Sequence, residues 1–237
     1  MNNLKRTLLC LASVVLCSMT VSYGQGVGNL PLSLNFEPAT AVPVSPQNDG
    51  FIRRWTLLEP IARTFSSNAM LTSDFLSETL SEQYFKDQMT IVPVDGSKAT
   101  YGKTKLIWHA LDSKNFYVNL LRFATAYGKE CFQQLYWVVT IIDCDKDIEN
   151  VRLAGGVNSA AVWFLNDAEV LRFVGDKDLI VDDCMSARLT LKQGRNILRG
   201  IVMNGQGMAD FCLRFVDEDG KPVTSGYTVS SMMSKKK

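Results

Sequence analysis

The sequence predicts an all-β domain with one short helix, built as an antiparallel jelly roll or β-sandwich. Short runs in which apolar and polar residues alternate recur through residues 106–216, and this alternation is typical of strands. Turn signals separate the runs roughly every 8–12 residues, a spacing typical of sandwiches. Residues 136–142 are apolar except Thr140, which indicates a strand that is buried on both faces.

The first predicted elements are a strand at residues 51–61 and a helix at residues 73–85. Leu76, Leu80 and Tyr84 recur at the four-residue spacing that places side chains on one face of a helix. This is the single segment of the chain with a convincing helical period, so one helix is predicted.

Strands are predicted for the rest of the domain. Asn166 and Asp167 suit the left-handed positions of a tight hairpin, which would place Trp163 on the face opposite Val162 and Phe164. The predicted strands are 106–111, 116–123, 134–143 and the alternating pairs or triplets Val151/Leu153, Val162/Phe164, Leu189/Leu191 and Phe211/Leu213/Phe215.

Residues 1–24 are predicted to be a signal peptide. Lys5 and Arg6 precede a short apolar region, and small residues lead to a cleavage point after Gly24. The apolar run is shorter than the ~20 residues of a membrane span. A lipid anchor at Cys17 is not expected, because Leu16 is not the small residue that lipidation requires. We therefore expect a secreted or periplasmic protein.

Three further parts follow the signal peptide. Residues 25–50 contain four of the seven prolines and are predicted to be a leader or linker, either wrapped on the domain surface or disordered. Residues 51–227 form the predicted sandwich. Residues 228–237 are predicted to be a polar, basic tail.

The charge and cysteine content restrict the partners and cross-links. The formal net charge is +1 without a cluster of Lys and Arg, so a nucleic-acid partner is not expected. Cys131 and Cys144 flank one predicted strand of ~30 Å, whereas a disulfide needs Cα atoms about 6 Å apart. That pairing is not expected, while other pairings with Cys184 and Cys212, or free thiols, remain open.

The sequence predicts no enzyme. It contains no Gly-x-Ser-x-Gly motif, and any Ser–His–Asp triad would depend on the single histidine, His109, which lies inside a predicted strand. Acidic residues are available, so a pair of carboxylates that cleaves a glycosidic bond remains an alternative. The available acids are Glu59, Asp143, Glu149 and Asp183.

Asp143, Asp145 and Asp147 match the first acidic positions of a calcium loop. The sixth position is Ile148 and the twelfth is Ala154, so an EF-hand is excluded. Two interpretations remain: three oxygen ligands of a structural calcium, or a polar turn between two strands. No other cofactor is expected.

Aromatic side chains offer platforms on which sugar rings stack. Trp137 and Trp163 lie in the most apolar runs and are predicted to be core residues. Trp108 has polar neighbours and is predicted to line a groove instead. The predicted ligand-binding residues are Trp108, His109, Tyr101 and Tyr117.

Three segments carry a resemblance to a known family: residues 51–61, 158–166 and 191–199. They resemble the galactose-binding-like β-sandwich of secreted polysaccharide-degrading enzymes, and in particular the non-catalytic N-terminal region of Bacteroidetes-type acetylxylan esterases. The resemblance implies a carbohydrate-binding or accessory module with a polysaccharide or oligosaccharide partner. The catalytic serine and histidine of that family have no matching positions here, so esterase activity is not implied.

Two alternatives to this function remain. The sandwich could be a structural or protein-interaction module without a glycan ligand, or a piece of a carbohydrate esterase without its hydrolase domain. Four buried tryptophans would favour the interaction module, whereas a groove lined by exposed aromatic residues would favour glycan binding.

Overall fold

The computed structural model describes residues 31–233. Two sheets with antiparallel strand pairs form a β-sandwich, which confirms the predicted all-β class. The predicted signal peptide, with Cys17, and the lysines of the tail lie outside the described residues. No helix within the described residues is long and apolar enough to cross a membrane.

The described residues form two α-helices and fifteen strands. The helices are α1 (Ser73–Ser81) and α2 (Leu120–Ala126). The strands are β1 (Phe36–Pro38), β2 (Arg54–Leu58), β3 (Ile61–Ala62), β4 (Lys98–Tyr101), β5 (Thr104–Ser113), β6 (Val118–Asn119), β7 (Gln134–Cys144), β8 (Ile148–Val157), β9 (Ser159–Leu165), β10 (Ala168–Lys177), β11 (Cys184–Met185), β12 (Leu189–Leu191), β13 (Gly194–Asn204), β14 (Asp210–Val216) and β15 (Tyr227–Ser230).

The larger sheet has ten strands in the order β1-β5-β2-β7-β13-β9-β10, with β3 and β15 also paired to β7 and β4 paired to β5. The smaller sheet has the order β11-β8-β14-β6, with β12 paired to β8. Strands β7 and β13 pair along eleven residues each and form the centre of the larger sheet.

The larger sheet is buried on both faces. Its inner face meets the smaller sheet in a first core that contains Trp55, Trp163 and Phe211. Its outer face is covered by residues 65–91 in a second core, which contains Trp108 and Trp137. This double coverage explains the uninterrupted apolar run of β7 and confirms that the strand is buried on both faces.

Helix α1 begins where the sequence predicts it but ends at Ser81, four residues early. Thr72 caps it by accepting a hydrogen bond from the Phe75 N–H, at 3.2 Å. The Gln88 carboxamide ends the helix. Its NH₂ group donates to the carbonyl of Glu82, and its oxygen accepts from the N–H of Tyr84. Tyr84 is therefore buried in the second core without belonging to the helix.

The predicted strand at residues 116–123 is wrong. Only β6 is extended, and α2 begins at Leu120. The Asn119 side chain starts this helix by accepting from the Arg122 N–H at 2.7 Å. Apolar runs of this length do not distinguish a buried strand from a short buried helix.

The hairpin between β9 and β10 is confirmed. Asn166 and Asp167 have φ values of +48° and +68°, the left-handed conformation that a two-residue turn requires. Trp163 points into the first core, whereas Val162 and Phe164 point into the second.

The proline-rich segment lies on the domain, and its described part belongs to the larger sheet. Strand β1 pairs with β5, and Val44 bridges Val229 of β15. The sheet also extends beyond residue 227, since β15 reaches Ser230 and Met232 bridges Val94. The predicted boundary at residue 227 therefore cuts through β15, and the boundary at residue 50 separates β1 from the other strands of its sheet.

The four described cysteines are free thiols, which settles the alternatives left open by the sequence. Cys131, Cys144 and Cys212 are buried, and Cys184 is partly exposed. Burial raises the pKa of the Cys144 and Cys212 thiols to about 11, so both are protonated at neutral pH.

Arg199 on β13 is a buried charge without a partner in residues 31–233. Its side chain is 1% exposed, and none of its three guanidinium nitrogens forms a hydrogen bond there. Its register neighbours are Val139 and Phe164, and burial lowers its pKa. A buried charge without a partner opposes folding.

We expect Arg199→Met to raise the free energy of unfolding by at least ~1 kcal/mol, because the charge no longer has to be desolvated. Urea denaturation measures the change. Arg54→Met is the matched control, since Arg54 is equally buried but holds Asp112 through two hydrogen bonds of 2.7 Å. That variant should be destabilised, and a loss of stability in Arg199→Met would contradict the prediction.

Candidate functional site

A groove lies between the proline-rich segment and the edge of the larger sheet, and we call it the leader groove. Its volume is ≈ 350 Å³, and residues 44–47 form one wall while the end of β5 forms the other. Its polar lining consists of Glu37, Ser45, Gln47, Arg53, Arg54, Asp112, Ser113 and Lys114. No histidine or cysteine lines it.

Ion pairs hold the charged groups of the leader groove. Arg53 donates to both carboxylate oxygens of Asp49 at 2.8 and 2.7 Å, which lowers the pKa of that carboxyl. Lys114 lies 3.3 Å from Glu37 in an exposed pair. The groove is therefore polar without a large excess of either charge.

Arg54 fixes the backbone just before the wall that residues 44–47 form. The Arg54 guanidinium, which is bound to Asp112, also donates to the carbonyls of Thr40 and Val42. Val44, the first residue of the wall, bridges Val229 of β15. These contacts hold the wall against the larger sheet without a ligand.

Aromatic rings border the groove. Phe51 lines it, and the ring of Phe116 lies 5.2 Å from that of Phe51. Tyr117 packs against Phe116 at 5.1 Å, and its carbonyl accepts a hydrogen bond from the Ser113 hydroxyl. Phe116 is 37% exposed, so its ring is accessible to a ligand. Tyr117 is thus the one predicted ligand residue that belongs to this region.

Trp108 is not a binding platform. Its side chain is 0% exposed, and its ring lies edge-on to Phe85 at 6.0 Å inside the second core. The neighbour His109 suggested a groove, but it faces the other side of β5, where it packs against Tyr127. All four tryptophans are at most 1% exposed, which confirms the predicted core positions of Trp137 and Trp163.

His109 points away from Trp108, toward α2. Its ring stacks on Tyr127 at 3.8 Å, and its Nε2 lies 3.5 Å from the Glu59 carboxylate, too far for a normal hydrogen bond. Glu59 is itself bound to the Ile107 N–H and to Lys129, both at 3.1 Å. Burial lowers the pKa of His109, so the imidazole is neutral at neutral pH.

Tyr101 lies on the hairpin between β4 and β5, apart from the other predicted ligand residues. Its ring is 38% exposed and lies 5.5 Å from the ring of Tyr84, which belongs to the second core. The structure therefore divides Trp108, His109, Tyr101 and Tyr117 among different faces and does not join them in one site.

Two of the three predicted calcium ligands, Asp143 and Asp147, have their carboxylates bound to other groups of the protein. Asp143 accepts from Arg195 at 3.2 Å and from Ser230 at 2.7 Å. Asp147 accepts from Lys192 at 3.0 Å and from the Gln193 N–H at 2.7 Å. Asp143, Asp145 and Asp147 do not form a metal-binding group, and none exists among residues 31–233. The hydrogen bonds of Asp143 and Asp147 favour the polar-turn interpretation.

The candidate acids for glycosidic cleavage also fail to converge in a groove. Glu59 binds Lys129, Asp143 binds Arg195, and Asp183 binds Lys177 at 2.9 Å. Glu149 is exposed on β8. The contacts of Glu59, Asp143 and Asp183 are therefore ion pairs that hold the fold or lie at its surface.

No protein-family model matches the chain, and no curated protein matches it. The resemblance to the acetylxylan esterase region therefore rests on its three sequence segments alone. The functional argument depends on the geometry of the leader groove.

Proposed function

We propose that the protein is a non-catalytic carbohydrate-binding or accessory module of polysaccharide degradation, and that the leader groove holds the sugar chain. The observation that carries this proposal is the accessible Phe116–Tyr117 edge beside a preformed polar groove. Sugars present both an apolar C–H face and hydroxyl groups, and the site offers a partner for each.

The polar groups of the groove suit hydroxyls better than a charged ligand. Glu37 accepts hydrogen bonds, Lys114 donates them, and the Gln47 carboxamide does both. Because the charged side chains are paired with one another, a neutral ligand does not leave an isolated buried charge.

Phe116→Ala is expected to weaken polysaccharide binding by ~1 kcal/mol, about fivefold, because the apolar face of the sugar loses its aromatic partner. Affinity electrophoresis through gels that contain acetylated or plain xylan measures the change. Tyr101→Ala is the matched control, since Tyr101 is 38% exposed but lies on the β4–β5 hairpin. Equal retention of the two variants would contradict this placement of the site.

A second candidate function is a protein-interaction sandwich. It is favoured by the burial of all four tryptophans, and by exposed apolar side chains on the loop before β11, at Ile180 and Val181. If the wild-type protein is retained by no polysaccharide, this function becomes the better explanation.

A further inference from the structure

A second pocket lies at the other end of β7, and we call it the amide pocket. It has a volume of ≈ 320 Å³ and is lined by Phe65, Ser66, Ser67, Asn68, Gln133 and Gln206. Gln133 precedes the first residue of β7, whereas Val229 of the leader groove pairs with Ile142 near its end. At ~3.3 Å per residue the two sites are ~30 Å apart.

Gln133 has a strained backbone conformation that hydrogen bonds hold in place. Its φ of +56° is uncommon for a residue other than glycine. Three hydrogen bonds hold it: its N–H donates to Gly205, its carbonyl accepts from Arg63, and its Nε2 donates to Phe65 at 2.8 Å. Its Oε1 has no partner among residues 31–233, so this acceptor is available to a ligand.

Gln206 is positioned by Asn68. The Asn68 carboxamide accepts from the Gln206 N–H at 3.2 Å and donates to the Gln206 carbonyl at 3.3 Å. A Cβ atom at the preceding Gly205 would lie 1.7 Å from Asn68 Oδ1, so only glycine permits this contact. The backbone of Gln206 is thus fixed, while its own exposed side chain forms no hydrogen bond within the described residues.

The lining of the amide pocket contains no charged residue. A charged ligand would therefore lose water without gaining an opposite charge, which disfavours acidic and basic ligands. Carboxamides and hydroxyls each donate and accept, as vicinal sugar hydroxyls do. Phe132, next to Gln133, is 42% exposed and offers an apolar surface at this end of the domain.

We propose that the amide pocket is a saccharide-binding site for uncharged sugar units, separate from the leader groove. The site stands on its own geometry and does not require that the leader groove binds sugar. If both sites bind, one polysaccharide chain that spans ~30 Å would engage both, and its retention would exceed that of a short oligosaccharide through effective concentration.

The test is a titration of ¹⁵N-labelled protein with three uncharged hexasaccharides, derived from xylan, cellulose and mannan, followed by NMR. The side-chain amide signals of Gln133 and Gln206 are expected to shift with at least one of them. A charged hexagalacturonate should leave these two signals in place. Gln206→Ala and Phe132→Ala are expected to weaken this binding at least fivefold, and both positions are exposed, so the fold should be retained.

The Gln47 amide signal reports on the leader groove in the same titration. If Gln47 shifts and Gln133 and Gln206 do not, the amide-pocket proposal is overturned while the leader groove stands. If Gln133 and Gln206 shift and Gln47 does not, the second site is supported and the first is not. If none of the three amide signals shifts with any uncharged hexasaccharide, both the leader-groove proposal and the amide-pocket proposal are overturned.

Discussion

Trp163→Ala is expected to lower the free energy of unfolding by ~3–5 kcal/mol, because it opens a cavity in the first core. Trp163 is 0% exposed and packs against Trp55 at 5.7 Å and Phe211 at 5.0 Å. Its ring also fills the space above Gly200, where an added Cβ would lie 2.1 Å from the ring. Denaturation in urea, followed by far-UV circular dichroism, measures the loss.

Trp108→Ala is expected to destabilise the protein by a similar amount, since that side chain is equally buried in the second core. This reverses the sequence-based expectation that Trp108 serves a ligand. Tyr101→Ala, which truncates an exposed ring, is the control for the loss of an aromatic side chain. The core assignment would be wrong if Trp163→Ala or Trp108→Ala unfolded at the same urea concentration as Tyr101→Ala.

The stability of the protein is expected to fall as the pH rises through about 6, because of Asp210. This carboxyl is 4% exposed, and burial raises its pKa from 3.8 to about 6, against opposing contributions from Asn158 and Arg122. The folded state therefore holds the proton more tightly than the unfolded state. Its contribution is complete below pH 3.8 and is lost by pH 7, a difference of about 3 kcal/mol.

Asp210→Asn should remove most of this pH dependence, since the amide keeps an oxygen for the hydrogen bond from Asn158 but carries no ionisable group. Unfolding free energies between pH 4 and pH 8 provide the test. Asp219→Asn, at a side chain that is 76% exposed, is the control and should follow the wild type. A pH profile of Asp210→Asn that is parallel to the wild type would exclude Asp210 as the cause.

Patterns in consecutive residues predicted those strands and turns whose structure is determined by neighbouring residues in the sequence. The apolar run of β7 and the left-handed Asn166–Asp167 turn are confirmed, because burial on both faces and a tight hairpin each leave a signature in consecutive residues. Trp108 was wrongly predicted to line a groove, because its burial depends on residues 65–91. These residues cover the outer face of the sheet but are distant from Trp108 in the sequence. Helix α2 was missed because its start depends on the cap supplied by Asn119.

The leader groove could not be predicted from any single segment. Its walls come from the proline-rich segment, β2, β5 and β15, and pairing between distant strands brings them together. Of the two rings at the border of the groove, the sequence-based prediction included Tyr117 but not Phe116. The sequence did contain a sign that Phe116 is exposed. Phe116 follows the polar residues Ser113, Lys114 and Asn115, and an aromatic ring in such a polar stretch often lies at the surface.

The bridge between Val44 and Val229 limits how early the larger sheet can be completed during folding. Val44 pairs with a strand that lies far away in the chain. Closing so long a loop carries an entropic cost, and such non-local pairing slows folding. The contact at Val44 therefore forms only once β15 is in place beside β7.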